Sequence, residues 1–311
     1  MSENTTVTKK KYKFFNRDNI LWVLLIGFLM IALGGDLLGN FLVYVGLESM
    51  LAAWAPGFQD SGVWQAAQIY LGFTGIWIVA LIILSVFRGN RPILKALGTK
   101  TRGNTPKMFA VGLAIGLGMN LFCGMVAMLN GDISISFVGF QPLPMLFLFV
   151  AVLIQSAAEE LICRVFIYQR LMRRFGKPVL ATVINAAFFA VIHLGNPGVT
   201  GLAILNIFIY GLVFSAMVVY MDSPWAAMAA HAAWNFCQNM ILGLPNSGIV
   251  SAYSIFKLDA AAAVDSFAYS TSFGLEGTIT ACAVLLAACA VIVWWGRKHK
   301  IVPTDIWNTA V

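Results

Sequence analysis

Glu159 and Glu160 stand side by side in Ala157-Ala158-Glu159-Glu160-Leu161-Ile162-Cys163-Arg164, inside an otherwise apolar run. Two adjacent carboxylates at membrane depth are costly, and they require either partners or a chemical purpose. Glu160 and Arg164 are four residues apart, which puts them on one helix face and lets them pair. Glu159 is turned by about 100° from Glu160 and has no such partner. An unpartnered carboxylate facing a protein interior points to acid–base chemistry or ion binding.

The chain has three histidines, and two of them fall in apolar segments. His193 follows Phe189 by four residues, and His231 precedes Asn235 by four, so each pair lies on one helix face. Taken singly, an intramembrane histidine is most often a helix–helix hydrogen bond, and Phe189 is equally well a core or lipid-facing aromatic. Taken together, two carboxylates, an arginine, two histidines and an asparagine on three neighbouring segments call for more. A carboxylate and an imidazole within reach of one water make it a nucleophile. A second imidazole and a carboxamide on one face supply donors for a developing oxyanion. Asn239 continues the His231–Asn235 stripe. Ser156 and Ser215 are further hydroxyls, but the sequence places no histidine to activate either.

These residues must be positioned by membrane helices. The chain is 60% hydrophobic and only 11% charged, which excludes the soluble globular class. Apolar runs of about 20 residues recur and strand-like alternation does not, so the fold class is all-α: a polytopic membrane protein. Eight spans are expected, at Ile20 to Val45, Ala66 to Phe87, Met108 to Leu129, Leu143 to Arg174, Val179 to His193, Thr200 to Met221, Trp225 to Leu242 and Leu275 to Trp295. The first is too long for a signal-peptide core and is kept as a span, with Asp36 beside Gly34 and Gly35 where a kink is allowed. Glu48 to Gln65 reads as a loop, Arg91 to Lys107 as a basic or amphipathic surface stretch, and Gly243 to Gly274 as a long loop. The five cysteines all lie in apolar segments and read as small buried residues.

The net charge of +7 does not indicate nucleic acid, because the basic residues flank the spans. Lys and Arg number five before span 1, six between spans 2 and 3, four between spans 4 and 5 and three after span 8. Only Arg164 and Lys257 fall elsewhere, so both termini are expected to be cytoplasmic. The organisation expected is a basic N-terminus over residues 1–18, one transmembrane domain over 19–296 with its chemical core at about 143–240, and a C-terminal tail over 297–311. At a rise of about 1.5 Å per residue, Glu159, His193, His231 and Asn235 reach overlapping depths near the midplane. Span 5 is too short for a hydrocarbon core about 30 Å thick. Its end, with Gly195-Asn196-Pro197-Gly198, is therefore expected to line a polar cavity.

Three motifs in order, Glu159-Glu160-x-x-x-Arg164, Phe189-x-x-x-His193 and His231-x-x-x-Asn235, resemble the CPBP family of intramembrane glutamic endopeptidases, which includes the type II CAAX prenyl proteases and bacteriocin-immunity homologues. The resemblance covers about Leu143 to Met240. It implies that Glu159 and His193 activate water and that His231 and Asn235 form the oxyanion site. Glu160, Arg164 and Phe189 would support them, and no cofactor is implied. The implied partners are the lipid bilayer and a peptide or membrane-protein substrate, which in CAAX-type processing would be a prenylated one. The location would be the cell membrane in a bacterium or the endoplasmic reticulum in a eukaryote.

Other functions compete with this one. One carboxylate and two histidines match the His₂Glu ligand count of catalytic zinc, although no HExxH-like pair sets two histidines on one helix face and Asn235 is a poor zinc ligand. A non-catalytic immunity or scaffold protein would keep the pattern without the reaction. Intramembrane Glu, His and Arg also serve proton relays in transporters, but no inverted repeat accompanies them here.

Overall fold

The computed structural model describes residues 19–308; the expected basic N-terminus, 1–18, lies outside the described residues. Eight helical segments occupy the eight expected stretches. They are α1 (Ile20–Trp54), α2 (Gly62–Val86), α3 (Pro106–Leu129), α4 (Pro142–Phe175), α5 (Pro178–Val191), α6 (Gly201–Tyr220), α7 (Pro224–Phe236, continued by the π-helical Cys237–Ile241) and α8 (Ile279–Lys298). Six of these are long and apolar enough to cross a membrane: α1, α2, α3, α4, α6 and α8. This is an all-α, multi-pass membrane protein. Of the other two, α5 is a shorter apolar helix, and α7 is Ala-rich with polar side chains at its centre.

Helix starts are written locally. Side-chain oxygens of Ser61, Thr105, Thr200, Ser223 and Thr278 accept from the backbone N–H three residues on, capping α2, α3, α6, α7 and α8. Pro106, Pro142, Pro178 and Pro224 occupy first helical positions, where the missing N–H costs nothing. Gly176 ends α4 in the left-handed conformation at φ 61°, a conformation that glycine adopts without strain.

Two expectations need correction. Glu48 to Gln65 is not a continuous loop: α1 stays helical to Trp54, because Glu48-Ser-Met-Leu-Ala-Ala-Trp54 contains no helix breaker before Pro56-Gly57. Arg91 to Lys107 is not wholly a surface stretch, since its 3₁₀ turn (Arg91–Ala96) buries Ile93 and Ala96 in the protein core. The allowed kink in α1 takes the form of two π-helical segments, Ala32–Gly39 and Phe41–Leu47.

The centre of the bundle is α7. Alanines at 226, 227, 229, 230, 232 and 233 present little bulk on any face, so neighbouring helices close in on all sides. Its most extensive partner is α3. There a Cβ on Gly112 or Gly116 would collide with the carbonyl oxygens of Ala226 and Ala230, so only glycine permits this approach. α4 packs on another side of α7, and α5 packs on α6. This arrangement faces α4, α5 and α7 toward a common interior.

Outside the helices, β1 (Ile135–Phe137) pairs antiparallel with β2 (Phe256–Leu258), Ser136 opposite Lys257, tying the α3–α4 connection to the long connection before α8. At the opposite end the tail folds back. Thr304 donates from its N–H and its hydroxyl to the two carboxylate oxygens of Asp222, at 2.8 and 2.6 Å. Ile306 is buried, and the Arg173 guanidinium lies over the Trp307 ring at 4.5 Å.

Candidate active site

Glu159 lies at the middle of α4 and is 8% exposed. Its Oε1 accepts from Gln155 Nε2 at 2.6 Å. Its Oε2 finds no hydrogen-bond partner among the described residues. That oxygen faces His193 Nε2 at 3.9 Å and His231 Nε2 at 3.8 Å.

The other ring nitrogen of each histidine decides what it presents. His193 sits in the turn after α5, and its Nδ1 is 2.7 Å from the Phe189 carbonyl. A carbonyl can only accept, so Nδ1 carries the hydrogen and Nε2 of the neutral ring is bare. His231 Nδ1 is 3.0 Å from Glu160 Oε1, which assigns it the same tautomer. Two imidazole lone pairs and one carboxylate oxygen therefore converge on the same space. A water placed there finds acceptors for both of its protons and turns its own lone pairs outward.

Glu160 and Arg164 form the expected pair at 3.1 Å, with both side chains inaccessible to solvent. Arg164 also donates to the Gly211 carbonyl at 3.3 Å. Its guanidinium lies 4.5 Å over the Phe189 ring and 5.3 Å from that of Phe214. Phe214 stacks on His231 with centroids 5.0 Å apart, and Phe189 meets His193 at 4.6 Å. The buried charge pair is thus enclosed by aromatic faces that also fix both imidazoles. Directly after Glu160 the helix becomes π-helical from Leu161 to Ile167, a distortion common at functional sites.

Asn235 is held at both ends of its amide. Nδ2 donates to Gln155 Oε1 at 3.1 Å and Ser156 Oγ at 3.3 Å, while Oδ1 accepts from Asn246 Nδ2 at 3.2 Å. All seven residues singled out from the sequence, Glu159, Glu160, Arg164, Phe189, His193, His231 and Asn235, are therefore in one cluster. Glu159, Phe189, His193, His231 and Asn235 border a cavity of about 390 Å³ that also reaches Phe28 and Asp36 of α1, while Glu160 and Arg164 lie buried behind it. Asn239 is not part of it. Its amide answers Tyr70 and the carbonyls of Leu244 and Ile249, so the stripe changes from site to scaffold within one turn.

Residues 141–237 match the family model described as type II CAAX prenyl endopeptidase Rce1-like. This segment is Rce1-like. It holds every motif residue of the cluster, from Glu159 to Asn235, which agrees with the CPBP resemblance. A relative from Bacillus subtilis (strain 168), the uncharacterized protein YyaK, is 30% identical over 114 residues. That match covers 35% of this chain and 38% of the relative. No solved structure matches the chain.

Three further residues belong to the site. Gln155 is inside the Rce1-like segment and was legible in principle, lying four residues before Glu159 on the same face. Asn246 and Glu276 lie beyond that segment, in the connection leading to α8. Asn246 Nδ2 donates to Glu276 Oε1 at 3.1 Å, and Ser247 donates to Oε2 from its N–H at 2.6 Å and its hydroxyl at 2.9 Å. No local periodicity announces contacts from a loop residue to a helix residue 11 positions before it and to a turn residue 30 positions after it. Ser156 contributes its hydroxyl to Gln155 and Asn235, a network role and not that of an activated nucleophile.

Proposed function

We propose that this protein is an intramembrane endopeptidase that hydrolyses a peptide bond in or near the bilayer with a water activated by Glu159. The observation that carries this is the bare Glu159 Oε2 set between the two bare Nε2 atoms of His193 and His231. Glu159 takes a proton from water, and the hydroxide adds to the carbonyl carbon of the scissile bond. His193, locked by the Phe189 carbonyl, keeps its Nε2 toward Glu159 and shares that proton. The tetrahedral oxyanion needs donors. Asn235 Nδ2 is one, and His231 becomes the other when the proton taken from water moves on to its bare Nε2, where Glu160 beneath Nδ1 stabilises the imidazolium. The proton then passes to the leaving amine as the C–N bond breaks, giving a carboxylic acid and an amine. Residues about 143–240 are the catalytic part of a single transmembrane domain with both termini cytoplasmic.

A zinc-dependent peptidase is the competing reading by ligand count alone, one carboxylate and two histidines, since among the described residues no group of three or more His, Cys, Asp or Glu side chains is placed to hold a metal ion. The substrate class suggested by the family description is a membrane-bound protein ending in a CAAX sequence. The test is cleavage in proteoliposomes of a farnesylated peptide ending Cys-aliphatic-aliphatic-X and of its unprenylated twin. Cleavage that is lost in Glu159→Gln and in His193→Ala, and survives chelator, supports the glutamate mechanism. Cleavage abolished by chelator and restored by zinc transfers the site to the metal reading. Normal turnover by Glu159→Gln sinks both.

A further inference from the structure

The connection between α7 and α8 enters the site through one side chain. Asn246 is 7% exposed, and its Nδ2 donates at once to Asn235 Oδ1 (3.2 Å) and Glu276 Oε1 (3.1 Å). Glu276, 5% exposed, lies in a 3₁₀ turn (Leu275–Gly277) just before α8. Its backbone is pinned there, because Asn206 of α6 donates to the carbonyls of Glu276 and Thr278, each at 2.8 Å. The Asn246 turn is held from the other side as well. Ser247 takes a left-handed φ of 49° to bring its N–H onto Glu276. At Gly248 a Cβ would collide with the Pro197 carbonyl oxygen, so the turn sits directly on the chain just beyond His193.

The polarity of this chain of amides is its significance. A carboxamide has a donor end and an acceptor end of nearly equal shape, and can flip between them. Both oxygens of the Glu276 carboxyl accept here, Oε1 from Asn246 Nδ2 and Oε2 from the Ser247 N–H. Glu276 therefore requires the Nδ2 end of Asn246, whose second hydrogen goes to Asn235 and makes the facing atom Oδ1. That leaves Nδ2 of Asn235 on the side of Gln155 and Glu159. Gln155 is set in the same way, with Nε2 given to Glu159 Oε1 and Oε1 left to accept from Asn235. Two carboxylates at opposite ends thus orient three amides between them. We infer that Asn246 and Glu276 are positioning residues that hold Asn235 with its N–H, and not its carbonyl, toward the developing oxyanion. This rests on the peptidase function proposed above and assigns a role to a segment outside the Rce1-like region. The weaker 3.3 Å bond from Asn235 to Ser156 is the one the oxyanion displaces.

The test uses the full chain in proteoliposomes, with the peptide found to be cleaved in a Glu159-dependent way. Asn246→Asp keeps the shape but removes both donors, so Asn235 must turn its carbonyl to the reaction. Its kcat should fall about 10²-fold, as for loss of one oxyanion donor, with KM within about twofold. The same change added to Asn235→Ala should cost nothing further, because residues acting as one unit are not additive. Glu276→Gln keeps volume but no longer dictates polarity, and kcat should fall at least about tenfold with a normal KM. Additive losses in the double variant, or a wild-type kcat in Asn246→Asp, would overturn the inference. If Asn246→Asp does not fold, Glu276→Gln decides alone: an unchanged kcat refutes it. An Asn235→Ala enzyme of normal activity refutes the oxyanion assignment itself, whereas a weak Asn235→Ala beside a normal Asn246→Asp refutes only the positioning role.

Discussion

His231 Nδ1 lies 3.0 Å from Glu160 Oε1, the same oxygen that meets the Arg164 guanidinium at 3.1 Å. One carboxylate oxygen thereby serves two helices in two ways. Arg164 balances its charge within α4, and His231 of α7 takes its ring orientation from it. The pair is structural and also sets which nitrogen His231 shows to Glu159.

Arg164→Ala leaves Glu160 buried without its cation, which typically costs about 3–5 kcal/mol. Folded yield and thermal stability in detergent should fall together with activity. Exchanging both partners, Glu160→Gln with Arg164→Met, removes the buried charges and should recover much of that stability. It should not recover cleavage, since His231 loses the negative charge beneath Nδ1 that stabilises its imidazolium. Thermal unfolding and turnover measured on the same preparations separate the two effects. A double variant with restored turnover would show that His231 needs no such partner.

Glu159→Gln should behave in the opposite manner. Gln155 can still donate to the remaining amide oxygen, and the unpartnered Oε2 atom is no longer a buried charge. Cleavage should disappear while the unfolding temperature holds or rises. Strong destabilisation would place Glu159 among the structural residues.

Phe189 lies against His193 at 4.6 Å and under Arg164 at 4.5 Å, and is 3% exposed. Truncation to Ala should cost about 3–5 kcal/mol through the cavity it opens. Phe189→Leu fills most of the space but removes the ring face beneath the guanidinium, worth about 2 kcal/mol when desolvated. The Leu variant should fold with a modestly lower unfolding temperature and should lose more turnover than stability, because His193 loses the ring that lies against it. Equal turnover in the Leu variant and the wild type would reduce Phe189 to filler.

Gly116→Val should be among the most disruptive single changes far from the carboxylates. The new Cβ meets the Ala230 carbonyl oxygen, in the turn that carries His231. Separating α3 from α7 should cost more than the about 1–3 kcal/mol of ordinary overpacking, since backbone must move. Gly118, with open space around its Cβ position, serves as the control, and Gly118→Ala should unfold normally. Comparable thermal curves for the two variants would mean the helices are not in close contact.

The site was legible in the sequence where its contacts are local. Glu160–Arg164, Phe189–His193 and His231–Asn235 are each four residues apart, and helix geometry alone puts each pair on one face. Charge asymmetry among intramembrane groups then singled out Glu159. The sequence could not show that Glu160 would reach from α4 to His231, 71 residues on, because that depends on how α7 packs. Asn246 and Glu276 were hidden for a related reason: a loop of about 30 residues has no periodicity, and a lone Glu in the first turn of an expected span reads as an ordinary boundary. α1 runs on past Glu48 to Trp54 because a single charge near a membrane surface leaves helix propensity intact.

α5 has only 14 residues, a rise of about 21 Å, yet it delivers His193 to the level of Glu159. Lipid beside it meets an apolar wall shorter than the acyl chains it must cover, and such mismatch is relieved by local thinning. The cavity wall there is shared by Ile192 and Asn196 after α5 and by Phe28 of α1, so thinning at α5 would fall beside the cavity. Less hydrocarbon then separates the headgroup water from the scissile bond. Turnover should consequently depend on acyl-chain length, with vesicles of short-chain lipid outpacing long-chain ones at equal enzyme content.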